Sequence, residues 1–201
     1  MKVSTTVLER LIFSLPALRE FHAPGCNVYE MLKQVACQEV EKQFSADTAE
    51  PRDFAPFGKL VFPFTQMGAI SSLDLFGLDE LIIFSFYWSN RGKYRRVLDL
   101  GANIGLHSIV LSRCGFEVRS YEPDPTHFDL LQRNLANNAC SSVTPTRAAV
   151  SLADGTATFT RVLGNTTGSH LTGAKPSVYG DVEQFPVKLR VFRFCWNGRS
   201  W

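Results

Sequence analysis

No two cysteines in this sequence stand in a C-x-x-C arrangement, and Cys26, Cys37, Cys114, Cys140 and Cys195 make an odd number. That argues against a disulfide framework and against a zinc knuckle, and leaves free thiols in a reducing, cytoplasmic setting as the expectation. An excess of one charge is also missing. The 21 basic and 19 acidic residues leave a formal charge of +2, so neither nucleic acid nor a membrane surface is called for on electrostatic grounds. The longest apolar stretch, Leu81–Trp88, contains Ser85 and is far too short to span a bilayer. Glu9 and Arg10 break the only apolar run that could have served as a signal peptide. Nothing repeats at a fixed period, and no segment is of low complexity.

What is present suits a globular domain with an attached segment: 201 residues, 45% of them hydrophobic and 20% charged. Most of the sixteen phenylalanines precede residue 100 and are expected to fill the core. Residues 5–44 read as two helices broken at Ala23-Pro24-Gly25, with Val7, Leu8, Leu11, Ile12 and Leu15 at helical spacing in the first. Pro16 is expected to end or kink that helix. Residues 45–58 are polar and hold Pro51 and Pro56, as a linker would; Gly58–Phe64 is β-like, Gly68–Ser72 a turn, and Leu78–Tyr87 a helix with Asp79 and Glu80 in its first turn.

From residue 95 the pattern alternates. Arg96–Leu100 is a short apolar strand, Ile104–Arg113 a helix stopped by Gly115, and Phe116–Tyr121 a second strand. Asp124 is a good N-cap and Pro125 a good first residue for the helix that follows, through Phe128, Leu131 and Leu135. Val143–Val150 reads as a third strand and Thr156–Val162 as a fourth. This order predicts an α/β fold with a parallel sheet.

The chemistry concentrates in Asp99-Leu100-Gly101-Ala102-Asn103-Ile104-Gly105, between a strand and a helix. Gly101 and Gly105 permit a tight turn and a close approach to a ligand. Asn103 tolerates a left-handed backbone best after glycine. Asp99, at the strand's end, is placed to accept hydrogen bonds from a ligand or from loop amides. Glu122 ends the next strand, where an acid takes a ribose diol in doubly wound nucleoside-binding folds. Two nucleoside ligands compete for such a loop. Nicotinamide dinucleotides favour G-x-G-x-x-G against a pyrophosphate, whereas here the spacing is G-x-x-x-G with an aspartate two residues before the first glycine. A carboxylate beside a pyrophosphate is unfavourable, but it suits a ligand carrying an ammonium and a sulfonium. The reading is S-adenosylmethionine, with NAD as the competing ligand. A P-loop is excluded for want of Gly-Lys-Ser/Thr.

VLDLGANIG at 97–105, YEPDPTHFDLLQRNLANN at 121–138 and RAAVSLADGTATF at 147–159 resemble the FkbM-type methyltransferase family. The resemblance covers roughly residues 95–192. It implies a Rossmann-like class I methyltransferase sheet, S-adenosylmethionine as donor, and an oxygen nucleophile on a glycan or small metabolite as acceptor. By position, Asp99, Gly101, Asn103 and Gly105 would hold the amino acid end of the donor, Glu122 the ribose, and Pro123 and Asp124 would flank the adenine. Domain organisation then reads as an N-terminal helical segment over 1–56 and a methyltransferase domain over 57–201. The family's K-x-D-x-E-G strand is absent: Pro186–Phe194 begins as expected, then Cys195–Trp201 departs from the pattern. The sheet is therefore expected to be incomplete through truncation or a frameshift, and a catalytically inactive remnant is the alternative to an active enzyme. No catalytic base and no metal ligand is assigned. His107 is read as a packing or surface residue, His127 as a first-turn surface residue, and His170 as a candidate for the acceptor side. Asp74, Asp79 and Glu80 are placed near the donor pocket or in helix capping.

Overall fold

The computed structural model describes residues 6–175 and 180–191. Helix α1 (Val7–Ser14) starts where the Thr6 side chain accepts the Glu9 N–H, and it buries Leu8, Leu11 and Ile12. Pro16 falls at the start of a tighter 3-10 segment, Leu15–Phe21, where its missing N–H breaks no helical bond. Helix α2 (Asn27–Phe44) follows the Pro24-Gly25 break and buries Tyr29, Ala36, Val40 and Phe44.

Two short antiparallel pairs come next, β1 (Arg52–Asp53) with β2 (Lys59–Leu60) and β3 (Gln66–Met67) with β4 (Ile70–Ser71). Only two residues of the β-like Gly58–Phe64 stretch are therefore strand, and the turn read at Gly68–Ser72 is the tip and returning arm of a hairpin. A 3-10 turn at Ser72–Phe76 then carries a capping box between Ser71 and Asp74. Helix α3 (Leu78–Asn90) runs three residues past the expected Tyr87.

The alternating region builds a parallel sheet in which β5 (Arg96–Leu100), β6 (Glu117–Tyr121) and β7 (Val143–Thr146) lie in that order. Helix α4 (Leu106–Arg113) and helix α5 (Pro125–Asn137) make the crossovers. Asp124 caps α5 by accepting the Thr126 and His127 N–H groups, with Pro125 next to it. Among the described residues β5 pairs with β6 alone.

The expected third strand, Val143–Val150, is two strands in different sheets. Ala148 N–H donates to Thr146 O at 3.0 Å, a three-residue turn that bends the chain. Beyond it, β8 (Ala149–Ser151) runs parallel to β11 (Val182–Val191). The expected fourth strand, β9 (Gly155–Val162), is likewise outside the parallel sheet. It pairs antiparallel with β11 and with β10 (His170–Leu171), in the order β10-β9-β11-β8. Residues 192–201, which include Cys195 and the departure from the family pattern, lie outside the described residues.

One hydrophobic cluster extends from Leu8 in α1 to Val143 in β7, across the domain boundary read at residue 56. Its centre is aromatic: Phe44 stacks on Phe76 at 4.6 Å, and Phe54 meets both edge-on. Asn138 ties the two regions together as a peptide group would, accepting Val61 N–H at 3.0 Å and donating to Val61 O at 2.7 Å. No described helix is long and apolar enough to cross a membrane.

Candidate active site

The loop from β5 to α4 takes three left-handed residues, Gly101 (φ 77°), Asn103 (φ 50°) and Gly105 (φ 94°). Its first amides are committed within the protein, since Gly101 and Ala102 N–H both donate to Tyr121 O. The two glycines serve different ends. A Cβ on Gly101 would meet open space, so its backbone is accessible to a ligand. A Cβ on Gly105 would stand 2.5 Å from Leu131 Cδ1. Gly105 thus packs the loop onto α5.

Asp99, Gly101, Asn103, Glu122 and Pro123 line one cavity of about 320 Å³, within the usual range for small-molecule sites. It opens at the carboxyl ends of β5 and β6, where ligands of open α/β sheets bind. Two of the predicted residues do not line it. Gly105 lies beneath the loop, and Asp124 is fully buried in a two-pronged pair with Arg161, both contacts at 2.6 Å. Burial pushes the Asp124 carboxyl up, but the Arg161 guanidinium outweighs it and the net position is below the ordinary aspartate range. Arg161 also reaches Thr126 and Glu183 and lies over the Phe185 ring. It clamps the start of α5 to the β9–β11 sheet.

Glu122 is 5% exposed. Its Oε2 accepts Asn103 N–H at 2.7 Å and its Oε1 accepts Asp124 N–H at 2.9 Å. Each oxygen keeps a second lone pair for a ligand hydroxyl. Burial pushes this carboxyl up to about 7; the two backbone donors pull it down, and the charges of Asp124 and Asp99 push it further up. Asp99 accepts the Ser108 hydroxyl at 2.5 Å, and Ser108 in turn bonds Ser120. Burial raises the Asp99 carboxyl as well, against the Ser108 bond and the nearby His107. Contrary to one expectation, Asp99 takes no loop amide; its bond goes to α4.

The far wall is assembled from elements outside the glycine-loop unit. Leu75 and Glu80 come from the Ser72–Phe76 turn and α3, Phe159 from β9 at the end of the third motif, and Thr166, Thr167 and Ser169 from the β9–β10 connection. That connection is held against the β3–β4 hairpin, where Ala69 N–H donates to Gly164 O. His107 lines the cavity, with Nε2 2.8 Å from Glu80 Oε2 and Nδ1 3.1 Å from the Tyr87 hydroxyl. Glu80 is therefore a wall residue as well as a first-turn acid.

The histidine readings need two corrections. His127, expected at the surface, is 6% exposed and borders the cavity, because Arg161 holds the first turn of α5 inward. Burial lowers its pKa, against the Asp124 charge. His170, expected in a loop at the acceptor side, is buried on β10 and does not line the cavity. Its Nδ1 bonds Gly168 O, and its Nε2 has no partner among the described residues.

Fold and site together define an α/β protein with a small-molecule-sized crevice at the carboxyl edge of a parallel sheet. No family model matches the chain, and no curated protein sequence matches it. Three solved chains match by structure. One of them, a SAM-dependent methyltransferase from Agrobacterium tumefaciens, is 13% identical with a TM-score of 0.38, over 50% of this chain and 32% of that one. This chain thus spans about a third of that structure, and a likeness so distant carries no argument about function.

Proposed function

We propose that this protein binds S-adenosylmethionine in the crevice at the ends of β5 and β6 and transfers its methyl group to a hydroxyl oxygen of a glycan or small metabolite. The observation that carries the reading is the acidic wall. Asp99, Glu122 and Glu80 converge on one cavity with no lysine or arginine among its lining residues. Such a wall repels a pyrophosphate and attracts a ligand with two cationic centres. That disfavours NAD on the chain's own geometry.

The residues present fit the donor. Asn103 Oδ1 is buried beside the cavity without a hydrogen-bond partner among the described residues, so a ligand donor would satisfy it. Glu122 offers lone pairs to a ribose diol, and Pro123, next to it on the wall, offers an apolar face to the base. When bound, the donor supplies a methyl group already activated on sulfur. The chain's contribution is then to orient the acceptor and to keep water out. Phe159 and Leu75, on the wall facing the loop, serve the second purpose.

Isothermal titration with S-adenosylmethionine, S-adenosylhomocysteine and NADH tests this reading. Micromolar binding of the first two is expected, and no binding of either at millimolar concentration would remove the donor assignment. NADH binding in their place would restore the dinucleotide reading. Binding of donor without methyl transfer to any hydroxyl acceptor would favour the inactive remnant.

A further inference from the structure

Glu80 is engaged in a way that neither capping nor packing requires. It sits in the first turn of α3, where a negative charge is already favoured, yet its side chain turns to the cavity and accepts from His107 Nε2. The second ring nitrogen faces the Tyr87 hydroxyl. Burial first, then the charges of Asp99 and Glu80, push that phenol up to about 12, so it stays protonated and donates to Nδ1. A carboxylate can only accept, so Nε2 carries a proton and donates this hydrogen bond to Glu80 Oε2, and in the neutral ring Nδ1 accepts from the Tyr87 hydroxyl. Phe84, with its ring edge-on at 5.0 Å, fixes the imidazole plane. This chain of bonds uses Glu80 Oε2 and leaves Oε1 without a partner among the described residues.

The position along the cavity is also defined. Asp99, at the end of β5, is bonded to Ser108 in α4, the residue after His107, and it shares the cavity wall with His107 and Glu122. Glu122 stands at the end of β6, and Glu80 reaches the cavity from α3 beside the first turn of α4. A ligand whose ribose lies on Glu122 and whose chain passes Asp99 would end at Glu80. We infer that Glu80 receives the ammonium group of the donor's amino acid end, and that His107 and Tyr87 are positioning residues that aim its carboxylate. This rests on the donor reading above.

Two ligands separate this role from a structural one. S-adenosylhomocysteine has the amino acid end, and 5′-methylthioadenosine is the same nucleoside without it. Glu80→Gln is expected to weaken the first about tenfold or more, the scale of one charge-assisted hydrogen bond, and to leave the second unchanged. Tyr87→Phe, which retains the whole packing surface, should show the same selectivity with a loss of about threefold. It keeps the test open should Glu80→Gln fail to fold in thermal melting. Equal weakening of both ligands, or of neither, in variants that melt normally would overturn the inference and leave the donor reading standing. If the unsubstituted protein bound neither ligand, the donor reading itself would fall.

Discussion

Raising the pH from about 5.5 to about 8 should act on this protein in two opposite directions, both through Glu122. Its carboxyl titrates at about 7 in the folded chain against an ordinary value of 4.5. Between those values the folded state retains a proton that the unfolded state has released. Stability is therefore lost as pH rises through that window and levels off above it. At about 1.4 kcal/mol per unit, the loss between about pH 5.5 and about pH 8 is roughly 2 kcal/mol. The raised Asp99 adds in the same direction. The lowered Asp124 acts elsewhere, since its stabilisation is lost only as pH falls below the ordinary aspartate range. Ligand binding responds in the other sense. Ribose hydroxyls donate to the ionised carboxylate, so below pH 7 binding must first expel a proton. Affinity for S-adenosylhomocysteine should rise by up to about tenfold per unit until the carboxyl is ionised, then stay flat. Titration calorimetry in two buffers of different ionisation enthalpy would detect proton release near pH 6, and urea unfolding over the same range would follow the stability. Glu122→Gln should flatten both profiles, and Glu122→Ala should weaken donor binding by roughly 2–3 kcal/mol. Proton uptake on binding, or a pH-independent affinity in the unsubstituted protein, would refute the assignment of Glu122 to the ribose.

Four substitutions probe the frame around the site. Arg161→Ala strands the fully buried Asp124 carboxylate and should cost roughly 3–5 kcal/mol in urea unfolding, with Asp124→Asn milder because a neutral amide remains. Gly105→Ala adds a methyl 2.5 Å from Leu131 Cδ1 at a left-handed residue, and about 2 kcal/mol or more of destabilisation is expected; a neutral result would mean that α5 can withdraw freely. Asn138→Ala leaves both polar groups of Val61 without their partner, so a loss of about 2 kcal/mol should appear as a lower melting temperature.

The elements with local punctuation were legible in the sequence. The Arg96–Leu100 strand and the Pro125–Asn137 helix have the boundaries that the apolar run and the Asp124-Pro125 cap predict. The near wall of the site was legible for the same reason: Asp99, Asn103 and Glu122 belong to a contiguous strand–loop–helix–strand unit. The split of residues 143–151 between two sheets was not, because a backbone bond from Ala148 to Thr146 makes it, and the side-chain pattern continues unbroken. Nor was the inward turn of His127, which depends on an arginine far along the chain. Leu75, Thr166 and Thr167 reach the cavity only through packing between distant elements, whereas Glu80 was expected near the donor pocket or in a helix cap and only its bond to His107 was not legible.

The bend at Thr146–Ala148 has a consequence for the growing chain. The parallel sheet, with the glycine loop and Glu122, lies wholly before the bend and can assemble as soon as it leaves the ribosome. Phe159, Thr166, Thr167 and Ser169 of the facing wall, and the arginine that clamps α5, lie beyond the bend, in strands that pair over longer separations and so close later. A nascent chain halted at the bend would carry the motif with only part of its facing wall, and Asp99, Glu122 and Glu80 would be more open to water. The cavity is walled on that side only once residues 159–169 have arrived.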